Sequence, residues 1–183
     1  MFKQFFNPAR RRNRAIADAV YVRIVAAARQ PAPYSDWAVP DTPLGRFEMV
    51  GLHIYLFLRR IRGEGEAADA LGQELADTFF LDVDQSLREL GIGDMGIPKR
   101  MKTLARMFYG RTKSYDEALD AGDLVALTAA LRRNVRPDAA DWPQAAQLAA
   151  YVVQASDELA AQQLDVLLSG EVHFPQAGEG EGQ

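Results

Sequence analysis

The chain of 183 residues contains no cysteine and two histidines, His53 and His173. Without cysteine there are no disulfides, thiolate zinc sites, iron–sulfur clusters or cysteine nucleophiles. Two histidines are also too few to predict a histidine-based metal site. We therefore expect no metal and no other cofactor, and the composition argues against much of the chemistry that enzymes perform.

Long hydrophobic runs are missing as well. The longest, residues 49–58, is too short to span a bilayer, which needs about 20 apolar residues. The basic N-terminal region is not followed by an apolar stretch with a small-residue cleavage site, so no secretory signal is predicted. Its arginine-rich, acid-free character also suits an organellar transit peptide, but we favour the first turns of a helix.

The overall composition is that of one soluble domain, with 48% hydrophobic and 25% charged residues. The net charge of −4 argues against a bulk nucleic-acid coat. We predict a single helical domain over residues 1–175. The acidic, glycine-rich residues 176–183 are predicted to form a disordered tail.

Apolar residues recur every three to four positions almost throughout, which is typical of amphipathic helices. No alternating β-branched run is present, so the predicted fold class is all-α, a single compact multi-helix bundle. Residues 43–62 are apolar on most sides, which places this helix in the centre of the bundle. Thr42 is its predicted N-cap and Pro43 its first residue.

Other helices are delimited by glycine, proline and capping residues. We predict them over residues 11–29, 67–80, 83–90, 97–109, 115–121, 124–133 and 145–168. Asp82 and Asp123 are predicted N-caps, and Gly110 is predicted to follow the end of a helix. Asp141 and Gln144 form a further predicted cap pair.

The strongest physical signal is a cation-rich helix beginning at Ile97. Its apolar stripe is flanked by basic residues, and no acid lies between Asp94 and Asp116. The candidate partner-binding residues are Lys99, Arg100, Lys102, Arg106, Arg111 and Lys113. Such an unbalanced face attracts lipid headgroups, RNA or an acidic protein surface, although a simple solvated face is the alternative. No base-reading motif is present, so specific DNA binding is not expected.

His53 is a further candidate contact. Seven-residue steps place Arg46, His53 and Arg60 on nearly the same helix face, which predicts a histidine at the polar edge of a buried helix. A partner contact or a proton-sensitive switch is one interpretation. A hydrogen-bonded histidine at the boundary of the core is the interpretation we favour.

Four blocks of sequence carry a resemblance to a known family. Asp41-Thr-Pro-Leu-Gly-Arg-Phe-Glu-Met-Val-Gly-Leu-His53 is the first, followed by residues 79–94, 97–102 and 108–119. In this order they resemble the ubiquinol–cytochrome c chaperone family, and weaker similarity extends to residues 168–175. Ordered blocks over most of residues 34–120 are far more specific than a short motif.

The resemblance implies an all-helical, non-enzymatic protein that helps newly made cytochrome b enter the ubiquinol–cytochrome c reductase complex. It implies a cytoplasmic protein in a bacterium, peripheral to the inner membrane, or a mitochondrial matrix protein in a eukaryote. Its partners would be cytochrome b or another respiratory membrane protein, an anionic membrane surface and, as in mitochondrial relatives, the ribosome. The family provides no catalytic residues to transfer.

Three hypotheses follow. In the first, an assembly chaperone holds its hydrophobic client through exposed apolar residues around Tyr34, Trp37 and Met49. In the second, a ribosome- or nucleic-acid-binding module acts through the basic helix. The third, an enzyme, would need Glu48 or Asp41 to converge on His53 in a pocket.

Overall fold

The computed structural model describes residues 8–178, which form eight α-helices and no strand. The predicted all-α class is confirmed. The helices are α1 (Pro8–Ala28), α2 (Ala32–Ser35), α3 (Pro43–Ile61), α4 (Glu66–Glu89), α5 (Ile97–Asp120), α6 (Leu124–Val135), α7 (Ala145–Ala161) and α8 (Leu164–Leu168). Most of the tail predicted to be disordered, residues 179–183, lies outside the described residues.

α3 is the central helix, as its sequence predicts. Between Met49 and Phe57 every residue except Val50 is buried, and α1, α4, α6 and α7 all contact this helix. A helix that is apolar on all sides is stable only when other helices surround it. Its start is also as predicted, because the Thr42 hydroxyl accepts a hydrogen bond of 3.1 Å from the Gly45 amide.

α4 is one continuous helix, so the predicted break near residue 82 is wrong. Asp82 does not cap a helix. Its carboxylate instead accepts a hydrogen bond of 2.7 Å from the Tyr21 hydroxyl on α1. The residue that resembled a helix cap instead makes a contact between helices. Tertiary packing stabilises α4 as a continuous helix across this position.

α5 likewise continues through Gly110, which was predicted to follow its end. Arg111 and Tyr115, just beyond that glycine, are buried in the core. Their burial stabilises the second half of the helix against the weak helix propensity of glycine. The segments predicted at 97–109 and 115–121 are thus a single helix.

The C-terminal helices follow the prediction in part. Asp123 caps α6, accepting a hydrogen bond of 2.9 Å from the Ala126 amide. Gln144 makes no side-chain capping bond, so the predicted cap pair is wrong. α7 ends at Ala161, short of the predicted residue 168. There the Arg60 guanidinium of α3 donates hydrogen bonds to carbonyl oxygens in the last turn of α7 and just beyond it, satisfying acceptors that the helix cannot.

The segment after α8 runs back across the bundle to the end of α1. The Gln30 amide nitrogen donates a hydrogen bond of 3.0 Å to the Pro175 carbonyl, and its oxygen accepts one of 2.6 Å from the Ala177 amide. Phe174, one residue before these contacts, packs edge-on against the His53 ring at 5.1 Å. Gln30 thus fixes the start of the predicted tail.

Within residues 8–178, no helix is both long and apolar enough to cross a membrane.

Candidate partner-binding surface

α5 presents a row of exposed cations between its first turn and Lys113. Lys99, Lys102, Arg106 and Lys113 follow one another at spacings of three, four and seven residues, which places them on one helix face. Lys113 has one acidic neighbour, with its Nζ 3.7 Å from a Glu117 carboxylate oxygen. Lys99, Lys102 and Arg106 form no ion pair with any residue in the described range. Their charge is therefore free for a partner.

The opposite side of the same helix faces α4. Ile97 and Phe108 are buried, and Met101 and Leu104 are half-buried between them. The predicted apolar stripe is therefore the inner side of the helix. Arg100 lies about 100° around the axis from Lys99, on the flank of the basic face, and it is also exposed.

The position of α5 explains why this face is uncovered. Arg111 pairs with Glu48 near the start of α3, and Asn134, near the end of α6, donates a hydrogen bond of 3.1 Å to the Tyr115 hydroxyl. The 14 residues before Arg111 therefore extend about 20 Å past these contacts. They pack on α4 through the ring pairs Phe79–Phe108 and Phe80–Tyr109, and the two helices form a hairpin whose cationic side is exposed.

Large apolar side chains are exposed on the same hairpin. Met95 is 99% exposed and Leu90 58% exposed, both between the last turn of α4 and the first of α5. Tyr109 is 57% exposed and follows Arg106 by three residues, at the edge of the basic face. We call these three residues, with the five exposed cations, the hairpin surface: Leu90, Met95, Lys99, Arg100, Lys102, Arg106, Tyr109 and Lys113.

Leu90 and Met95 were not predicted as site residues. The signal was present, because Leu90 precedes the glycine-rich stretch from Gly91 to Gly96 and Met95 lies within it, where a connector would usually be polar. Gly91 adopts a positive φ of 79°, which ends α4 and starts the turn.

Arg111 does not belong to this surface, and its prediction as a basic-face residue is wrong. It follows Arg106 by five residues, a rotation of about 140° that brings it to the inner side of α5. Arg111 is 9% exposed and pairs with Glu48, which is buried on α3. Burial lowers the pKa of the Arg111 guanidinium. Its charge is directed into the core and cannot reach a partner.

Two of the apolar residues predicted to be exposed are also internal. Trp37 is 3% exposed and Met49 is completely buried. The Trp37 carbonyl accepts a hydrogen bond of 2.7 Å from the Trp142 indole, and its ring lies 5.5 Å from that of Tyr151 on α7. Both side chains therefore hold the core together, and the prediction that they are exposed to a client is wrong.

Tyr34 is half-buried. Its hydroxyl donates a hydrogen bond of 2.7 Å to the Ala28 carbonyl, which ties α2 to the end of α1. Tyr34 is therefore only partly open to a partner. Tyr34 lies in the short helix α2, a segment outside the helices predicted from the sequence.

His53 is completely buried, so its predicted place at a polar edge is wrong. Its Nδ1 lies 2.7 Å from the Met49 carbonyl and carries the ring proton, because a carbonyl can only accept. Its Nε2 therefore accepts a hydrogen bond of 2.7 Å from the Tyr151 hydroxyl. Burial lowers the pKa of His53 to about 4, so the ring is neutral at physiological pH. The favoured interpretation is confirmed in that His53 is hydrogen-bonded, but the ring lies in the core and not at its boundary.

The constellation required by the enzyme hypothesis is not assembled. Asp41 forms an exposed ion pair of 2.6 Å with Arg46, and Glu48 pairs with Arg111. Neither carboxylate is brought to His53, whose two ring nitrogens are occupied by Met49 and Tyr151.

Comparisons with known proteins point to one family. The family model described as ubiquinol-cytochrome C chaperone matches residues 35–174. The chain is 32% identical over 139 residues to the Xenopus laevis ubiquinol-cytochrome-c reductase complex assembly factor 1, a match that covers 74% of this chain and 68% of the relative. The human protein of that name is 29% identical over 140 residues, or 74% of this chain and 46% of its own length.

A solved structure is similar over nearly the whole chain. It is the crystal structure of the Cbp3 homolog from Brucella abortus, at 55% identity with a TM-score of 0.86. The match covers 97% of this chain and 98% of that one. By contrast, the chain spans about half the length of the mouse and human relatives.

Proposed function

This chain belongs to the ubiquinol-cytochrome C chaperone family, and from that premise we propose that it binds newly made cytochrome b during assembly of the ubiquinol–cytochrome c reductase complex. The observation that carries the proposal is the match over residues 35–174. This range contains α3 to α8 and the complete hairpin surface. The match therefore covers the folded unit that would act, and not an isolated motif.

The distribution of chemical groups supports a binding role. The buried polar side chains His53, Glu48 and Arg111 are each engaged with another protein group inside the core. The hairpin surface, by contrast, presents unpaired cations and exposed apolar side chains to the outside. A protein that acts through its surface needs a stable core and free external groups, and this arrangement provides both.

Deletion of the gene tests the proposal directly. Cells without it should lose spectroscopically detected cytochrome b and ubiquinol–cytochrome c reductase activity, and both should return when the wild-type gene is supplied. Cytochrome oxidase activity is the internal control, since a general respiratory defect would lower it too. Normal cytochrome b content in the deletion strain would contradict the proposal.

Crosslinking would locate the client. A photoreactive residue can be placed at Val22 on α1, Met95 in the hairpin or Val125 on α6, three exposed apolar positions on different elements. At least one should yield an adduct with cytochrome b in membranes from cells that are synthesising the complex. Absence of the adduct from all three, in cells where the variants restore reductase activity, would count against direct client binding.

A second candidate function is a ribosome- or nucleic-acid-binding module. The row of unpaired cations on α5 favours it, because such a row attracts phosphates. It predicts co-sedimentation with ribosomes that falls steeply as salt is raised. Salt-independent sedimentation, or none, would count against it.

A further inference from the structure

We propose that the hairpin surface is a docking site for an anionic phospholipid membrane, with its lysines and arginines at the headgroups and Leu90 and Met95 entering the interface. The proposal rests on the proposed function for its purpose, since it would bring the chaperone to the membrane where its client is inserted. It is carried by three observations: the charge, the exposed apolar side chains and the shape of the hairpin.

The net charge of this surface is positive. Lys99, Lys102 and Arg106 have no carboxylate partner among the described residues. Asp84 and Asp94 share the single guanidinium of Arg88, which offsets one of their two negative charges. Glu89 at the end of α4 accepts a hydrogen bond from Gln85, so these four side chains leave two negative charges against the five cations of the hairpin surface. Anionic headgroups would supply the missing countercharge.

The apolar side chains distinguish a membrane from RNA. Leu90 and Met95 are aliphatic and exposed beside the cations. RNA offers them little, because bases are recognised by stacking on aromatic or guanidinium planes. A bilayer interface gains from burying them, as with the apolar side of an interfacial helix. Tyr109, with a ring and a hydroxyl, suits the headgroup level.

The shape of the hairpin fits a flat surface. Lys99, Lys102, Arg106 and Lys113 lie along one side of a single continuous helix. The inner side of that helix is held by Ile97 and Phe108, which are buried. The basic face can therefore meet a plane along its length without unfolding. The flexible stems of Lys and Arg let the charges reach headgroups at slightly different depths.

Vesicle co-sedimentation tests the proposal with the intact protein. Vesicles of equal parts phosphatidylglycerol and phosphatidylcholine should bind it, and pure phosphatidylcholine vesicles should bind it much more weakly. Raised salt should weaken binding to the anionic vesicles, because exposed charges are screened. Equal binding to both vesicle types, or binding to neither, would overturn the proposal.

Two variants assign the binding to the hairpin. In the charge variant, Lys99, Arg100, Lys102 and Arg106 are replaced by Gln, and partitioning should fall about a hundredfold or more, since each cation contributes roughly a factor of five at an anionic surface. In the apolar variant, Leu90→Ser with Met95→Ser should reduce binding about tenfold, with the effect persisting at high salt. Both variants should keep the wild-type circular dichroism and melting temperature, because these side chains are exposed.

A matched control removes the same charge elsewhere. Arg12, Arg14, Arg23 and Arg29 are exposed on α1 and in the turn that follows it, and their replacement by Gln should leave most vesicle binding intact. An equal loss in this control would show that net charge alone acts, which would overturn the assignment. The assignment would also be overturned, in favour of RNA, if the protein bound a single-stranded RNA but no vesicles and if this binding were lost in the charge variant.

The result separates from the test of the proposed function. If the chaperone role is wrong, the deletion strain keeps its cytochrome b while purified protein still binds anionic vesicles. If membrane docking is wrong, the deletion strain loses cytochrome b but the purified protein does not bind vesicles. The same conclusion follows if the charge variant restores reductase activity and still binds anionic vesicles.

Discussion

The Tyr151 hydroxyl on α7 donates a hydrogen bond of 2.7 Å to Nε2 of His53 on α3, so that both ring nitrogens of this neutral, fully buried imidazole are hydrogen-bonded. The other ring nitrogen is held by the Met49 carbonyl. The pair fixes the tautomer of the histidine and connects the central helix to α7. It also makes the stability of the bundle sensitive to acid.

Stability should fall between about pH 6.5 and pH 4 because of His53. Burial lowers its pKa to about 4 in the folded chain, from 6.5 as the ordinary value. Above pH 6.5 the ring is neutral in both states and its full contribution is present. As the pH falls, the unfolded chain takes up the proton first, and the free energy of unfolding decreases by about 3 kcal/mol in total. Urea unfolding across this range measures it.

The control for the acid effect is the double variant His53→Leu, Tyr151→Phe. It removes the titrating ring together with the hydroxyl that would otherwise lose its acceptor. The difference in unfolding free energy between wild type and variant should shrink as the pH falls from neutral towards 4. A constant difference would show that His53 does not drive the pH dependence.

The buried pair of Glu48 and Arg111 should show strong coupling. Glu48→Leu or Arg111→Met alone leaves one charge unpaired in the core and should cost about 3–5 kcal/mol. The double variant removes both charges and should cost much less than the sum, since apolar side chains replace the pair. Chemical unfolding of the four proteins gives the coupling energy. Additive losses would mean that the two side chains do not interact in solution.

Gly45 and Gly110 should respond in opposite directions to alanine. A Cβ at Gly45 would lie 1.9 Å from the Pro40 carbonyl oxygen, so Gly45→Ala should destabilise the chain by about 1–3 kcal/mol. At Gly110, inside α5, a Cβ would meet nothing within 4 Å. Gly110→Ala should therefore stabilise by up to about 1 kcal/mol. Thermal melts compare the two, and a stabilised Gly45→Ala protein would contradict the close approach to Pro40.

Gln30→Ala should release the segment that follows α8. The variant loses the hydrogen bonds to Pro175 and Ala177, with a cost of about 1–2 kcal/mol. Amide exchange at Ala177 should become much faster while α7 stays protected. Gln73→Ala, which removes an exposed contact with Asp77 within α4, is the control. Unchanged exchange at Ala177 would show that Gln30 does not hold the segment.

Local chemistry explains the parts of the fold that the sequence predicts. Thr42 and Asp123 cap their helices because each needs a backbone amide only three residues away. The central place of α3 follows from its apolar character on most sides. The basic face of α5 is equally local, since helical spacing alone aligns Lys99, Lys102 and Arg106.

The errors share a different cause, a partner that is distant in the sequence. In the sequence Asp82 resembles a helix cap, but in the structure it accepts a hydrogen bond from Tyr21 on α1. His53 resembles an edge residue in the sequence, but Tyr151, 98 residues later, hydrogen-bonds to it in the core. Arg111 continues a run of cations, and only the rotation of the helix and the presence of Glu48 place it inside. Polar residues buried through such pairs give no local signal.

The contacts of the C-terminal segment also set an order of events during synthesis. Phe174 closes over His53, and Gly170 lies so near α1 that a Cβ there would be 3.3 Å from the Ala19 methyl group. A nascent chain that has α1 and α3 but lacks this segment leaves the imidazole uncovered. The bundle can therefore be closed only after the chain has been made as far as Phe174, which makes completion of this fold a late step.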